Sequence, residues 1–276
     1  MLLSWLSKVL AALLVSALTG AVFTMVFNQT VLNSKYLEHQ LATTDSYSRL
    51  SVALNDQVIK SANSADTPVD PTMVEKLKSI LTPTLLQSKI NASLDQMQVY
   101  YRGMGPVPTV NLTDVAAQAQ AAGVPVPANS DINKPISLGA NKQARGISKS
   151  FDQVRTGTLI SSLVLMAGLL AVSWERHKWA VLPDVLITAG VLLGLVALIF
   201  AVVSGASNHY IKLDTTSNSV EPIVRDLATS ITRDLARRLG MTASLFIAAG
   251  VGSRVLVGRL HPKATAFLKP SVKPIA

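Results

Sequence analysis

Four stretches of the chain are apolar and uncharged over about the length that a membrane-spanning helix requires. A helix rises about 1.5 Å per residue, so about 20 apolar residues cross a hydrocarbon core about 30 Å thick. The first stretch follows Lys8 and stays apolar through Phe27, which favours an uncleaved signal anchor over a cleaved signal peptide. We therefore predict four transmembrane helices, at residues 9–27, 156–174, 185–207 and 240–258.

The fourth of these stretches is the shortest, because only residues 239–253 lie between Arg238 and Arg254. The long stem of Arg254 can extend through the apolar phase and place its charge among the headgroups. This lengthens the usable segment to about Gly258. The alternative for this stretch is an interfacial or re-entrant helix.

Basic residues near the span ends predict the orientation, because cytoplasmic loops are enriched in lysine and arginine. The side that holds both termini has eight such residues, whereas the loop at 208–240 has five. We therefore expect a multi-pass protein of the plasma membrane with both termini in the cytoplasm. Cysteines introduced at Val115 and Val272 are then expected to react with an impermeant reagent from opposite sides. The segments between the spans are predicted as a cytoplasmic N-terminus (1–8), an extracytoplasmic domain (28–155), a cytoplasmic hairpin (175–184), an extracytoplasmic amphipathic helix (208–239) and a basic cytoplasmic tail (259–276).

The long segment 28–155 has apolar residues at helical spacing and predicts a bundle of four or five short helices. A helix stop is expected at Thr44-Asp45, and Thr82-Pro83 opens a helix that closes at Tyr101-Arg102-Gly103. A short alanine-rich helix is expected at Thr113–Ala122. Residues 123–141 are predicted to form a flexible Pro-rich linker, either a plain tether or the binding part of the domain.

The segment 208–239 has the clearest amphipathic pattern, with charges of both signs on its polar face. Charges of both signs favour a helix that packs against protein over a helix that lies on the membrane surface. The predicted fold class is therefore an all-α integral membrane protein, with four transmembrane helices and a helical extracytoplasmic domain built from both loops. The apolar face comprises Val220, Ile223, Val224, Leu227, Ile231, Leu235 and Leu239.

Composition narrows the function classes. Charged residues make up 15% of the chain, against about 25% in an ordinary soluble domain. The net charge of +9 does not come from the long loop, which has 12 basic and 10 acidic residues. Most of the excess lies on the cytoplasmic flanks, where anionic lipid headgroups are the expected partner. No basic face with interleaved aromatic residues is present, so no nucleic acid is expected.

The sequence offers no set of residues for catalysis. It lacks cysteine, and it lacks the His-Glu-x-x-His, Gly-x-Ser-x-Gly and glycine-rich phosphate-loop motifs. The four histidines are scattered over separate segments of the chain. Asp184 lies at the entrance of the third span, where it either couples transport or simply neighbours Arg176 and Lys178. We therefore predict no enzyme, no catalytic, cofactor-binding or metal residues, and no cofactor.

Three short motifs follow the predicted helices. Val31-Leu32-Asn33 precedes Tyr36-Leu37, Tyr47 is followed by Leu50, and Tyr101-Arg102-Gly103 closes a helix. With these motifs in this order of spans, the chain resembles uncharacterised bacterial four-span membrane proteins with a large helical first extracytoplasmic loop. The resemblance covers most of the chain and implies an architecture but no activity.

More than half of the chain is expected outside the cytoplasm, and little that is folded is expected inside. This distribution favours a non-enzymatic protein that binds a protein partner or a second copy at the cell envelope, as a scaffold, assembly factor or accessory subunit. The recognition surface is expected within Gly103–Asn141, and deletion of Val124–Lys134 would test it. Two other functions are considered. One is the transporter or channel component of the next paragraph, and the third hypothesis is a transmembrane sensor that acts through a cytoplasmic partner.

The alternative function is an oligomeric small transporter or channel component. This hypothesis rests on a set of small polar residues within the spans. Small residues at four-residue spacing, such as Gly190 with Gly194 and Ala248 with Gly252, more simply predict close packing between helices. The candidate lining residues are Ser16, Thr19, Ser161, Ser162 and Thr188.

Overall fold

The computed structural model describes residues 2–63, 71–121, 123, 136–137, 145–174, 181–210 and 221–260. Over these residues the chain is almost entirely helical, and the predicted all-α fold class is confirmed. One feature was not predicted, a two-residue antiparallel ladder that pairs Thr109 with Ser137 and Val110 with Ile136. The elements of the described residues are α1 (Leu2–Thr30), α2 (Ser34–Thr43), α3 (Ser46–Asn63), α4 (Pro71–Ile80), α5 (Pro83–Tyr101), β1 (Thr109–Val110), α6 (Thr113–Ala121), β2 (Ile136–Ser137), α7 (Ile147–Trp174), α8 (Val181–Tyr210) and α9 (Glu221–Leu260).

Four helices, α1, α7, α8 and α9, are long and apolar enough to cross a membrane, as the sequence predicts. Helix α8 begins at Val181, inside the segment predicted as a hairpin. Residues 175–180 of that segment lie outside the described residues. The apolar segments of the four helices are Trp5–Thr30, Ile147–Val172, Val181–Gly205 and Glu221–Val257.

The amphipathic helix predicted at 208–239 and the span predicted at 240–258 are joined without a break in the structure. Residues Glu221–Leu260 form one continuous helix of 40 residues, α9. Its one proline, Pro222, lies in the first turn, where no intrahelical N–H bond is required. Gly240, at the expected junction, lies within the helix and faces the Cβ of Ala197. The residues 208–210 belong to α8 instead.

The chain divides into two compact units. The membrane unit comprises Met1–Val26, Asp152–Ala201 and Asp234–Ala276, and the helical unit comprises Phe27–Phe151 and Val202–Arg233.

The core of the membrane unit consists of two clusters of buried apolar side chains. One cluster joins α1, α8 and α9, where the rings of Phe23 and Phe200 stack with centroids 6.3 Å apart. The other joins α1, α7 and α8. The buried members are Val26, Leu193, Ala197, Leu235, Leu239 and Ala243 in the first cluster, and Leu14, Val15, Leu169, Val185 and Ala189 in the second.

Helices α8 and α9 pack through two glycines in reciprocal positions. A Cβ on Gly190 would lie 2.7 Å from Cγ1 of Ile247, and a Cβ on Gly250 would lie 2.7 Å from Cγ1 of Ile187. The contact positions advance by three and four residues along α8 (187, 190, 194, 197) and α9 (240, 243, 247, 250). This spacing is the heptad pattern of a left-handed antiparallel helix pair.

The prediction of close helix packing at small residues is correct for one of the two pairs named above and wrong for the other. Gly190 and Gly194 both face α9, so the prediction of close packing is confirmed for them. The prediction is wrong for Ala248 and Gly252, because both are exposed and a Cβ on Gly252 would meet nothing within 4 Å. The glycine that packs closely on α9 is Gly250.

Helices α2, α3 and α5 of the helical unit pack on one another, and α4 contacts α3 and α6. The predicted stop at Thr44-Asp45 is confirmed, since α2 ends at Thr43 and Asp45 has a positive φ of 52°. The predicted start at Thr82-Pro83 is also confirmed. The hydroxyl oxygen of Thr82 accepts a 3.3 Å bond from the N–H of Leu85 and so caps α5.

The first turns of α9 contact α2 and α3 through polar side chains. Arg49 Nη1 lies 2.7 Å from Asp226 Oδ2, and the hydroxyl of Ser230 donates a 2.7 Å bond to Gln40 Oε1. The predicted apolar face of this segment is only partly correct. Ile223 is buried, whereas Val224 is 38% exposed because adjacent residues point about 100° apart on a helix. Val220 lies outside the described residues.

Candidate interaction surface

Helix α5 ends in a glycine-containing turn that is closed by two backbone hydrogen bonds. The N–H of Gly103 donates to the carbonyl of Tyr100 at 2.8 Å, and the N–H of Met104 donates to the carbonyl of Val99 at 3.1 Å. Gly103 has a φ of +82°, which favours glycine. This is the Schellman arrangement, in which the residues that correspond to Val99 and Met104 commonly make an apolar contact.

The turn is fixed to the rest of the helical unit on both sides. The N–H of Gly146 donates to the carbonyl of Tyr100 at 3.3 Å, and a Cβ on Gly103 would lie 3.5 Å from Gly146 Cα. After the turn, Pro108 is fully buried. The N–H of Thr109 then donates to Gln96 Oε1 at 3.1 Å, which returns the chain to α5. The segment 102–109 is therefore held in place by its own backbone and by α5.

Three large apolar side chains face outward here, one on the last turn of α5 and two in the segment 102–109. Val99 is 42% exposed, Met104 57% and Val107 43%, and we call these three side chains the apolar turn surface. Outside the four apolar helix segments, Val52 is the one other exposed large apolar side chain among the residues whose side-chain exposure the structure describes. Single exposed apolar residues are ordinary, but several together on one surface indicate an interaction site.

The polar groups on the neighbouring helices are committed to contacts within the unit. The hydroxyl of Tyr47 donates a 2.6 Å bond to Asn91 Oδ1, and burial raises the pKa of Tyr47 to about 12. Lys89 donates a hydrogen bond to Asp114, which lowers the pKa of that carboxyl. The Tyr47 hydroxyl and the Asp114 carboxyl each keep one protonation state near neutral pH, and each links two helices.

The described residues show no group of three histidine, aspartate or glutamate side chains that could hold a metal ion. Asp184 lies 3.5 Å from Arg254, with Oδ1 facing Nη1, so its ionic partner in the structure is on α9. The residues Arg176 and Lys178, which the sequence analysis placed beside Asp184, lie outside the described residues.

The candidate channel-lining residues are divided between different environments. Ser16, Ser162 and Thr188 each donate their hydroxyl to a carbonyl oxygen one turn earlier in the same helix. Ser161 and Thr188 are exposed, whereas Ser162 is buried. The Oγ1 of Thr19 is buried with no hydrogen-bond partner.

The apolar turn surface overlaps the region that the sequence analysis expected to recognise a partner. Met104 and Val107 lie within Gly103–Asn141, whereas Val99, on the last turn of α5, was missed. The available signal was a run of apolar residues alternating with glycine and proline directly after a helix stop. The Pro-rich segment Val124–Lys134, which was expected to be the centre of recognition, lies outside the described residues.

Comparison with known proteins gives no relative from which a role could be transferred. No family model, no curated protein and no solved structure matches this chain.

Proposed function

We propose that this chain is a non-enzymatic membrane protein whose helical unit binds another protein at the cell envelope, as a scaffold, assembly factor or accessory subunit. The observation that supports the proposal is the apolar turn surface, formed by Val99, Met104 and Val107. Val99 and Met104 are exposed at a helix end that is closed by backbone hydrogen bonds, and Val107 is exposed three residues further on. A fixed surface loses little conformational freedom on binding, so most of the apolar burial is retained as affinity.

The test is site-specific crosslinking in native membranes. A photoreactive side chain is placed at Arg102, which is exposed beside the surface, and the crosslinked adducts are quantified. We expect the pair Met104→Ser and Val107→Ser to lower the adduct yield about tenfold or more, because a buried apolar side chain contributes about 1.5–3 kcal/mol.

The matched control is Val52→Ser, which removes an even more exposed valine from α3. The control is expected to keep the parent yield, and all variants should keep the parent helix content. Equal yields from the paired variant and the parent would contradict the proposal.

We further propose that the helical unit lies outside the cytoplasm and that both termini lie inside. The charge bias around the spans supports this orientation. The basic residues from Arg254 onward then face the anionic lipids of the inner leaflet, the second proposed partner.

Cysteine labelling tests the orientation directly, because the chain has no native cysteine. Val115, chosen from the sequence, is only 4% exposed and is therefore unsuitable. Gln118 is exposed on the same helix, α6. We expect Gln118→Cys to react with an impermeant maleimide in intact cells and Val272→Cys to react only after permeabilisation. Reaction of both from outside would contradict the four-span arrangement.

A further inference from the structure

Methionine sulfur is the most readily oxidised side-chain group that this chain offers. The chain has seven methionines and no cysteine, so no thiol of its own competes for an oxidant. Oxidation of a thioether depends on whether the oxidant reaches the sulfur. The exposure of each methionine to water therefore determines which one reacts first.

Among the methionines whose side-chain exposure the structure describes, Met104 is the most exposed one outside the four apolar helix segments. Its side chain is 57% exposed, and it lies outside the four apolar helix segments. Met25 and Met241 have comparable exposed fractions, 48% and 53%. Both lie within apolar segments of membrane-spanning length, which we expect the bilayer to cover. Met97, on α5, is only partly exposed.

We propose that Met104 is a redox modification site, and that its oxidation to methionine sulfoxide by a peroxide disables the apolar turn surface. In the forward step a new S–O bond forms as the O–O bond of hydrogen peroxide breaks, and water leaves. Sulfur is oxidised by two electrons and the peroxide is reduced by two. The reverse step requires an external dithiol reductase, because the chain has no thiol: the dithiol becomes a disulfide and the sulfoxide oxygen leaves as water.

The position of Met104 explains why this oxidation has a consequence. The turn is held by backbone bonds, among them the bond from the Met104 N–H to the Val99 carbonyl, and oxidation of the side chain leaves these intact. The sulfoxide, however, places a strong acceptor on the apolar turn surface, to which Val99 and Val107 also contribute exposed apolar side chains. Burying such a group against a partner without a hydrogen bond is unfavourable. The oxidised turn therefore keeps its shape but loses its affinity for an apolar partner.

The first measurement concerns selectivity and does not depend on any partner. The full chain in lipid nanodiscs is treated with hydrogen peroxide, and sulfoxide formation at each methionine is followed by peptide mass spectrometry. We expect Met104 to oxidise about tenfold or more faster than Met25, Met97 and Met241, and a methionine sulfoxide reductase with a dithiol to restore it. Similar rates at all four positions would overturn the inference.

The second measurement concerns the consequence and rests on the proposed function. Crosslinking from position 102 is compared before and after peroxide treatment, each protein against its own untreated sample. We expect at least about a tenfold loss in the parent and no loss in Met104→Leu, which cannot form the sulfoxide. An undiminished yield from fully oxidised parent would overturn the regulatory role.

Failure of the proposed function itself has a different signature. In that case the paired variant, Met104→Ser with Val107→Ser, keeps the parent yield without any peroxide.

Discussion

Replacement of Tyr100 by alanine is expected to destabilise the helical unit by about 3–5 kcal/mol, the usual cost of removing a large buried aromatic side chain. Tyr100 is 2% exposed, at the end of α5 from which the apolar turn surface projects. Its carbonyl accepts bonds from Gly103 and Gly146, so local loosening around Tyr100 releases both. The effect should therefore reach the turn as well as the core.

Hydrogen exchange of the full chain in nanodiscs provides the measurement. Exchange of the Gly103 and Met104 amides should accelerate strongly in Tyr100→Ala, because both depend on the last turn of α5. The matched control is Tyr101→Ala, at a neighbouring position that is only partly buried, and a clearly smaller effect is expected there. Equal acceleration in the two variants would show that Tyr100 has no special part in fixing the turn.

Many of the helix ends could be predicted from the sequence because they depend on chemistry within a few residues. Thr82 caps α5 with its own side chain, and Gly103 ends it because a positive φ suits glycine. Such signals need no knowledge of the tertiary fold. The continuity of α9 through Gly240 could not be predicted in this way, since a glycine in a helix is compatible with either a break or a close contact.

Which side chains of a helix are buried by a neighbouring element was harder to predict than the helices themselves. Periodicity shows that Ile223 and Val224 belong to one broad apolar face, but it does not show which of them a neighbour covers. The same limit applies to the interaction surface. Met104 and Val107 are exposed, whereas Pro108, directly after them, is buried. Hydropathy alone ranks such residues as core candidates.

Gly250 and Gly252 provide a sharp test of the packing between α8 and α9, because they lie two residues apart on one helix and face different surroundings. A Cβ on Gly250 would lie 2.9 Å from the carbonyl oxygen of Pro183, whereas a Cβ on Gly252 would meet nothing within 4 Å. Alanine is intrinsically better than glycine in a helix by about 0.5–1 kcal/mol. Gly252→Ala should therefore be neutral or stabilising, while Gly250→Ala should destabilise the membrane unit by about 1–3 kcal/mol through overpacking.

Thermal unfolding in a mild detergent measures this difference, and a disulfide reports the helix separation. A Cβ on Gly194 would lie 3.9 Å from the Cβ of Ala243, within the range of about 3.5–4.5 Å that a disulfide needs. The pair Gly194→Cys and Ala243→Cys should therefore oxidise readily in the parent and in Gly252→Ala, and more slowly in Gly250→Ala.

Gly190→Ala should behave as Gly250→Ala does, because the two contacts are reciprocal. The double variant should lower the free energy of unfolding by less than the sum of the two single effects. Helices that are already separated at one contact accommodate the second methyl group more easily. Full additivity, or equal melting temperatures for Gly250→Ala and Gly252→Ala, would mean that the two glycines do not set a common distance between α8 and α9.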